Sequence, residues 1–357
     1  MATCVTVMAG PGIADTIRIA TFHSELERDG PGRLLKAILS REDPQVLAVR
    51  DVIAAVAPDI LLLQGVDYDH GLVALRALRD TLAQDDGPLY PHLFARRPNT
   101  GMATRLDMDG DGRLGRARDR QGYGEFSGQG GMALLSRFPI AKPAAQDFSG
   151  LLWKDMPGAL LPEVEGRPFP SARAQAAQRL SSVGHWVVPI EHPAGRLHLL
   201  AFHAGPAVFD GPEDRNGRRN HDEILFWQHF LNGAFGSPPT VRFAVIGHAN
   251  LDPVDGAGRK TAIRALLDDP RLQDPLPARQ APAPDDPGHG GDPRRDTVFW
   301  PDPGPGALRV SYILPSADWK VLESGVYWPA DNTPGAQAAK AASRHRPVWV
   351  DLVARTD

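Results

Sequence analysis

The stretch AVIGHANLDP, residues 244–253, is an apolar run that ends in Gly-His-Ala-Asn and then Asp-Pro. Such a run reads as a buried strand that delivers polar side chains to the rim of a sheet. Other stretches share this form. IRIATF (17–22), ILLLQ (60–64), GMALLS (131–136) and RLHLLAFH (196–203) are short, apolar and end on a polar or small residue. ALRVSYILP (307–315), WKVLES (319–324) and RPVWVDLV (346–353) complete the set of expected strands.

Helical patterns fall between them. Residues 43–59 have Asp43 at an N-cap position, Pro44 at N1, an apolar stripe of Val46, Val49, Ile53 and Val56, and Pro58 as a stop. Further helices are expected over 71–83, over 218–231 with Ile224, Trp227 and Leu231 buried, and over 259–268. Strands and helices alternate in two halves of similar size. This predicts a four-layer α/β sandwich, with two mixed β-sheets face to face and helices outside. A single domain is expected over residues 17–357, with long loops at 88–130, 141–180 and 270–306.

Composition narrows the function classes. The chain has 357 residues, 42% hydrophobic and 23% charged, with 36 Gly and 34 Pro, as expected of a globular protein rich in turns. A net charge of −4 gives no general pull toward nucleic acid. With one cysteine, Cys4, the chain has neither an internal disulfide nor a thiolate metal site. No segment approaches the roughly 18 apolar residues of a membrane span. Residues 1–16 read as a leader or signal-peptide remnant. The expected location is periplasmic or secreted if that reading holds, and cytoplasmic otherwise.

Polar residues at strand ends carry the chemistry in such folds. They are His23, Gln64 with Gly65, His203, His248 with Asn250, Ser311, and Arg344 with His345. Taken in order, IRIATF, PDILLLQ, GMALLSRFPI, LHLLAFH, GHANLDP and SRHRPVWVDL resemble the endonuclease/exonuclease/phosphatase superfamily. More narrowly, the chain resembles bacterial members with a long RPNTG…LDMDGDGR insertion. It implies a divalent-metal phosphoesterase site where the two sheets meet.

Position by position, much of that chemistry is replaced. Where the family has asparagine, this chain has His23; where it has metal-binding or orienting carboxylates, this chain has Gly65, His248, Ser311 and Arg344. His203, Asn250 and His345 match the family's catalytic residues. On formal charge the site moves from about −4 to about +1. At an effective dielectric near 20, each like charge about 4 Å from an ion costs roughly 4 kcal/mol. Family-type Mg²⁺ catalysis is therefore not expected. Arg344 next to His345 is expected to hold that imidazole neutral and without a carboxylate partner.

The first expectation is a pseudoenzyme that binds a small phosphorylated ligand or a protein partner. The alternative is a rebuilt hydrolase. In one form His23 and His248 join a Zn²⁺ or Mn²⁺ site; in the other, Arg344 grips phosphate. Arg219 and Asn220, near a helix start, are expected to face the phosphate pocket. Asp107, Asp109 and Asp111 have the spacing that opens a calcium loop, although its twelfth position is Arg118.

Overall fold

The computed structural model describes residues 16–84, 87–283 and 288–355. The expected leader lies, apart from Thr16, outside the described residues. In chain order the elements begin with β1 (Ile17–His23), α1 (Arg33–Ser40), α2 (Pro44–Val56), β2 (Ile60–Val66), α3 (Val73–Gln84), β3 (His92–Phe94) and β4 (Gly131–Ser136). Next come β5 (Gln146–Asp147), β6 (Glu163–Val164), β7 (Arg167–Pro168), α4 (Ala172–Ala177), β8 (Gly184–Ile190), β9 (Leu197–His203), α5 (Arg215–Leu231), β10 (Phe243–His248) and α6 (Thr261–Leu267). The chain finishes with β11 (Val298–Trp300), β12 (Gly306–Leu308), β13 (Ser311–Pro315), β14 (Trp319–Val326), α7 (Pro334–Ala342) and β15 (Val348–Ala354).

Two mixed sheets form the centre, in the orders β14-β15-β1-β2-β4-β3 and β13-β10-β9-β8-β5. Their inner faces share one apolar layer that includes Ile19, Leu62, Leu134 and Val350 from the first sheet and Val188, Leu199, Ile246 and Ile313 from the second. On the outer face of the first sheet, α1, α2, α3 and α7 bury Leu34, Val49, Leu78 and Ala339. Helices α5 and α6 cover the second sheet through Trp227, Phe230 and Ile263. These are the four layers expected. They also explain why β2 and β10 are apolar without alternation: both faces of each strand are covered.

Local signals act where expected. The Asp43 side chain caps α2 by accepting from Gln45 N at 3.1 Å and Val46 N at 2.9 Å. Asp69 does the same for α3, accepting from Val73 N and Ala74 N at 2.7 and 2.9 Å.

Other expectations need correction. Helices α1 and α7 were not anticipated, because RLLKAILS and PGAQAAKAA are short and the second has mostly alanine on its buried face. Residues 307–315 are not one strand: Asp252 Oδ2 accepts from Arg309 N at 2.7 Å, and the chain breaks there between β12 and β13. Nor is 270–306 only a surface loop. It contains β11 and buries Asp296, Thr297 and Val298, and Val298 bridges to His345.

Because Ile246 lies in the layer shared by both sheets and is fully buried, Ile246→Ala should cost about 2–5 kcal/mol. Urea unfolding should show a lower midpoint at unchanged slope. A loss under about 1 kcal/mol would mean that the layer is not close-packed at this point.

Candidate metal centre

Strand register places the polar ends of several strands at one rim. His248 pairs with His203 across β10 and β9, and with Ser311 across β10 and β13. Gly247 makes this possible: at φ +150° a Cβ there would lie 1.9 Å from the Phe202 carbonyl oxygen, so only glycine fits. His23 ends β1 opposite Gln64 of β2. His345 precedes β15; its N–H donates to Ser343 Oγ at 3.0 Å, and that hydroxyl donates to the His23 carbonyl at 2.8 Å.

The four imidazoles meet where the sheets meet. From the His23 ring centroid, His345 is 4.4 Å away, His248 4.7 Å and His203 5.0 Å. His248 lies 4.8 Å from His345 and 5.1 Å from His203. His23, His248 and His345 each bring one ligand nitrogen to within 4.8 Å of the other two. His248 Nδ1 is paired with Ser311 Oγ at 3.0 Å, which leaves its Nε2. The Nδ1 atoms of His23, His203 and His345 are buried and have no hydrogen-bond partner.

Burial is the main cause of the electrostatics here. It pulls His23 down to about 4, and His203, His248 and His345 well below the usual histidine range; mutual repulsion among the rings adds to this for the last three. All four are therefore neutral at neutral pH, the form that binds a metal without first losing a proton. Nitrogen ligands about 2.0–2.1 Å from a tetrahedral ion lie about 3.4 Å apart. The observed separations need only small side-chain adjustments to reach that figure. The residues present thus fit an imidazole-binding ion and do not fit a carboxylate-bound Mg²⁺.

Several expected roles change. Arg344 does not leave the site with a bare positive charge. Its exposed guanidinium is paired with Glu25: Nε donates to Oε1 at 2.8 Å, and the backbone N–H to Oε2 at 2.7 Å. The repulsion from Arg344 is a minor influence on His345 next to burial. Arg219 lines the cavity, yet it is buried and spends Nε on the Leu180 carbonyl and Nη2 on those of Gln121, Arg179 and Ser181. Asn220 donates to the Gly205 and Ala249 carbonyls, both at 2.7 Å. Both residues fasten loops around the site. Asn250, at φ +53°, reaches the cavity and donates to the Ala204 carbonyl at 2.8 Å.

A carboxylate missed in the sequence sits in the same place. Glu27 lines the cavity beside His23 and Gly65, and burial raises its carboxyl to about 7. The signal was the pair of acids in SELE, two and four residues beyond His23. Glu25 answers Arg344, and Glu27 turns inward.

A cavity of about 1110 Å³ is lined by His23 and His203 and also by Arg118, Arg120, Tyr123 and Phe209. Its far wall carries the acidic loop, corrected in one member. Asp107 and Asp109 group with Asp119, one residue beyond the twelfth position, and not with Asp111. Asp107 accepts from Gly110 N and Gly112 N, and Asp111 instead accepts from Arg113 N at 2.8 Å.

A four-layer sandwich with a polar pocket at the meeting edge of its two sheets defines a phosphoesterase-type scaffold. The chain belongs to the Endonuclease/Exonuclease/phosphatase family, whose model matches residues 36–345. Solved structures with the same fold include an endonuclease/exonuclease/phosphatase from Beutenbergia cavernae DSM 12333, at TM-score 0.55 and 16% identity, covering 95% of this chain and 72% of that one. Another is sphingomyelinase C from Streptomyces griseocarneus, at TM-score 0.50 and 15% identity, covering 94% and 99%. A Bacteroides thetaiotaomicron family protein aligns at TM-score 0.51 and 13% identity, covering 96% and 99%. No curated protein matches the chain.

The depressed histidines set a pH dependence. The folded, metal-free state binds fewer protons than the unfolded chain between pH about 6.5 and about 4, so the stability linked to His23 is complete above that range and is lost as pH falls through it. Relative to His23→Gln, the metal-free wild type should therefore lose stability on acidification across this window, measured by urea midpoints. A difference that stays flat would show that His23 is not desolvated.

Proposed function

We propose that the protein is a phosphoester hydrolase in which imidazoles, with Zn²⁺ or Mn²⁺ as the ion, replace the family's carboxylate-held magnesium. The observation that carries this reading is the convergence of His23, His248 and His345, one ligand nitrogen each within 4.8 Å, beside buried nitrogens that have no other partner. Leaving such nitrogens unpaired costs about 1–3 kcal/mol each. A loss of function gives no reason to gather neutral imidazoles at both His23 and His248.

When bound, the ion would supply Lewis acidity toward a phosphoryl oxygen. The chain's own residues supply the rest. His203, neutral and edge-on to His23, has the protonation state of a base that accepts a proton from an attacking water. Arg120 lines the cavity; its Nη2 donates to the Gly115 carbonyl at 3.2 Å and its buried Nε has no hydrogen-bond partner, so it offers the cavity a cation for a phosphate charge. His23 and His203 line the cavity, and Tyr123 and Phe209, also in its lining, are largely exposed. This suits a small phosphorylated molecule more than a nucleic-acid strand, which the net charge of −4 also disfavours.

The second reading, a pseudoenzyme, is supported by the absence of carboxylates at positions 65, 248, 311 and 344. Metal content of the protein as purified, followed by hydrolysis of a chromogenic phosphodiester with Zn²⁺, Mn²⁺ and Mg²⁺ in turn, separates the two. The expected result is about one zinc or manganese per chain, turnover with those ions and not with magnesium, and loss of both in His248→Ala. No bound ion and no turnover would leave the pseudoenzyme. The same elemental analysis reports on calcium at Asp107, Asp109 and Asp119.

A further inference from the structure

We infer that Glu27, in the loop after β1, supplies the carboxylate of this metal centre from the volume that a side chain at Gly65 would occupy. The inference rests on the imidazole-metal reading above.

Gly65 adopts φ +63°, and a Cβ on it would lie 2.9 Å from Glu27 Oε2 and 2.9 Å from His23 Cε1. A side chain at position 65 and the Glu27 carboxylate therefore compete for one volume, and in this chain the carboxylate holds it. The loop is tied across that point by its backbone: Leu26 N–H donates to the Gly65 carbonyl at 2.6 Å, and Ser24 N–H to that of Gln64 at 2.8 Å. Glycine at 65 and glutamate at 27 thus form a matched pair.

The neighbouring acids are already committed. Glu25 pairs with Arg344 and Ser343, and Asp67 accepts from the backbone N–H groups of Arg28 and Gly130, both at 3.0 Å. Glu27 Oε2 is buried and has no hydrogen-bond partner. A desolvated carboxylate oxygen without a donor is costly unless a cation answers it. His23 and His203 line the same cavity wall as Glu27, and since the carboxylate lies outside the 4.8 Å group of His23, His248 and His345, rotation of its side chain would bring it to a cation held by those imidazoles, which bring no charge of their own. Three neutral nitrogens leave a divalent ion's charge uncompensated, and one carboxylate beside imidazoles is a ligand set that zinc and manganese accept.

The test uses the full chain, stripped with chelator and titrated with ZnCl₂ and MnCl₂ by calorimetry, together with Glu27→Gln, Gly65→Ala and His248→Ala. Glu27→Gln should weaken both ions at least tenfold. Because it removes an unpaired buried charge, it should leave the metal-free Tm unchanged or higher. Gly65→Ala, whose methyl would displace the carboxylate, should weaken binding in the same way. Wild-type affinity in Glu27→Gln, with binding lost in His248→Ala, would overturn the role of Glu27 and leave the imidazole site standing. A lower metal-free Tm in Glu27→Gln together with weaker binding would show a structural residue and would also overturn it. Wild-type protein that binds neither ion, or binding that survives His248→Ala, would remove the imidazole reading and Glu27 with it.

Discussion

Desolvation of four imidazoles at the seam between two sheets is the constraint from which the site follows. Backbone register sets it: β9 and β10 run parallel with His203 opposite His248, and Gly247 admits a carbonyl contact that no other residue tolerates. Rings packed 4.4–5.1 Å apart away from water cannot all carry charge. They are held neutral, and a set of neutral imidazoles with buried, unspent nitrogens is chemically a ligand set. The rest of the rim supports this arrangement. Ser311 fixes the ring of His248, Ser343 joins the His345 segment to the end of β1, and β11 braces that segment from the other side through Val298.

The charge of this centre is not readable from the strand ends alone. Formal substitution at four positions suggested a site that turned from strongly anionic to cationic. In three dimensions Arg344 is neutralised by Glu25 at the surface, and Glu27 places a carboxyl group beside His23. A residue-by-residue comparison along the strands does not reveal this, because the compensating carboxylate comes from a loop with no fixed place in the pattern. Arg219 and Asn220 of α5 show the reverse case: they stand next to the pocket, and most of their donors are spent on backbone carbonyls.

Much of the architecture was legible in the sequence because the strands are continuous apolar runs, as in β2 and β10, and because α2 carries its own cap and stop. Helices α1 and α7 were not, since α1 has a clear apolar face but only eight residues, and α7 buries only alanines. The positions of the four histidines at strand ends were readable, but their convergence depends on strand pairing between residues far apart in the chain. Glu27 depends on a loop crossing Gly65, and Asp119 on a turn that skips Arg118. Neither crossing leaves a periodic mark.

X-ray absorption at the zinc edge of the zinc-loaded chain tests the central claim most directly. The account predicts a first shell dominated by nitrogen at about 2.0–2.1 Å, with the outer-shell scattering of about three imidazole rings. A shell of oxygen alone, without imidazole scattering, would contradict it.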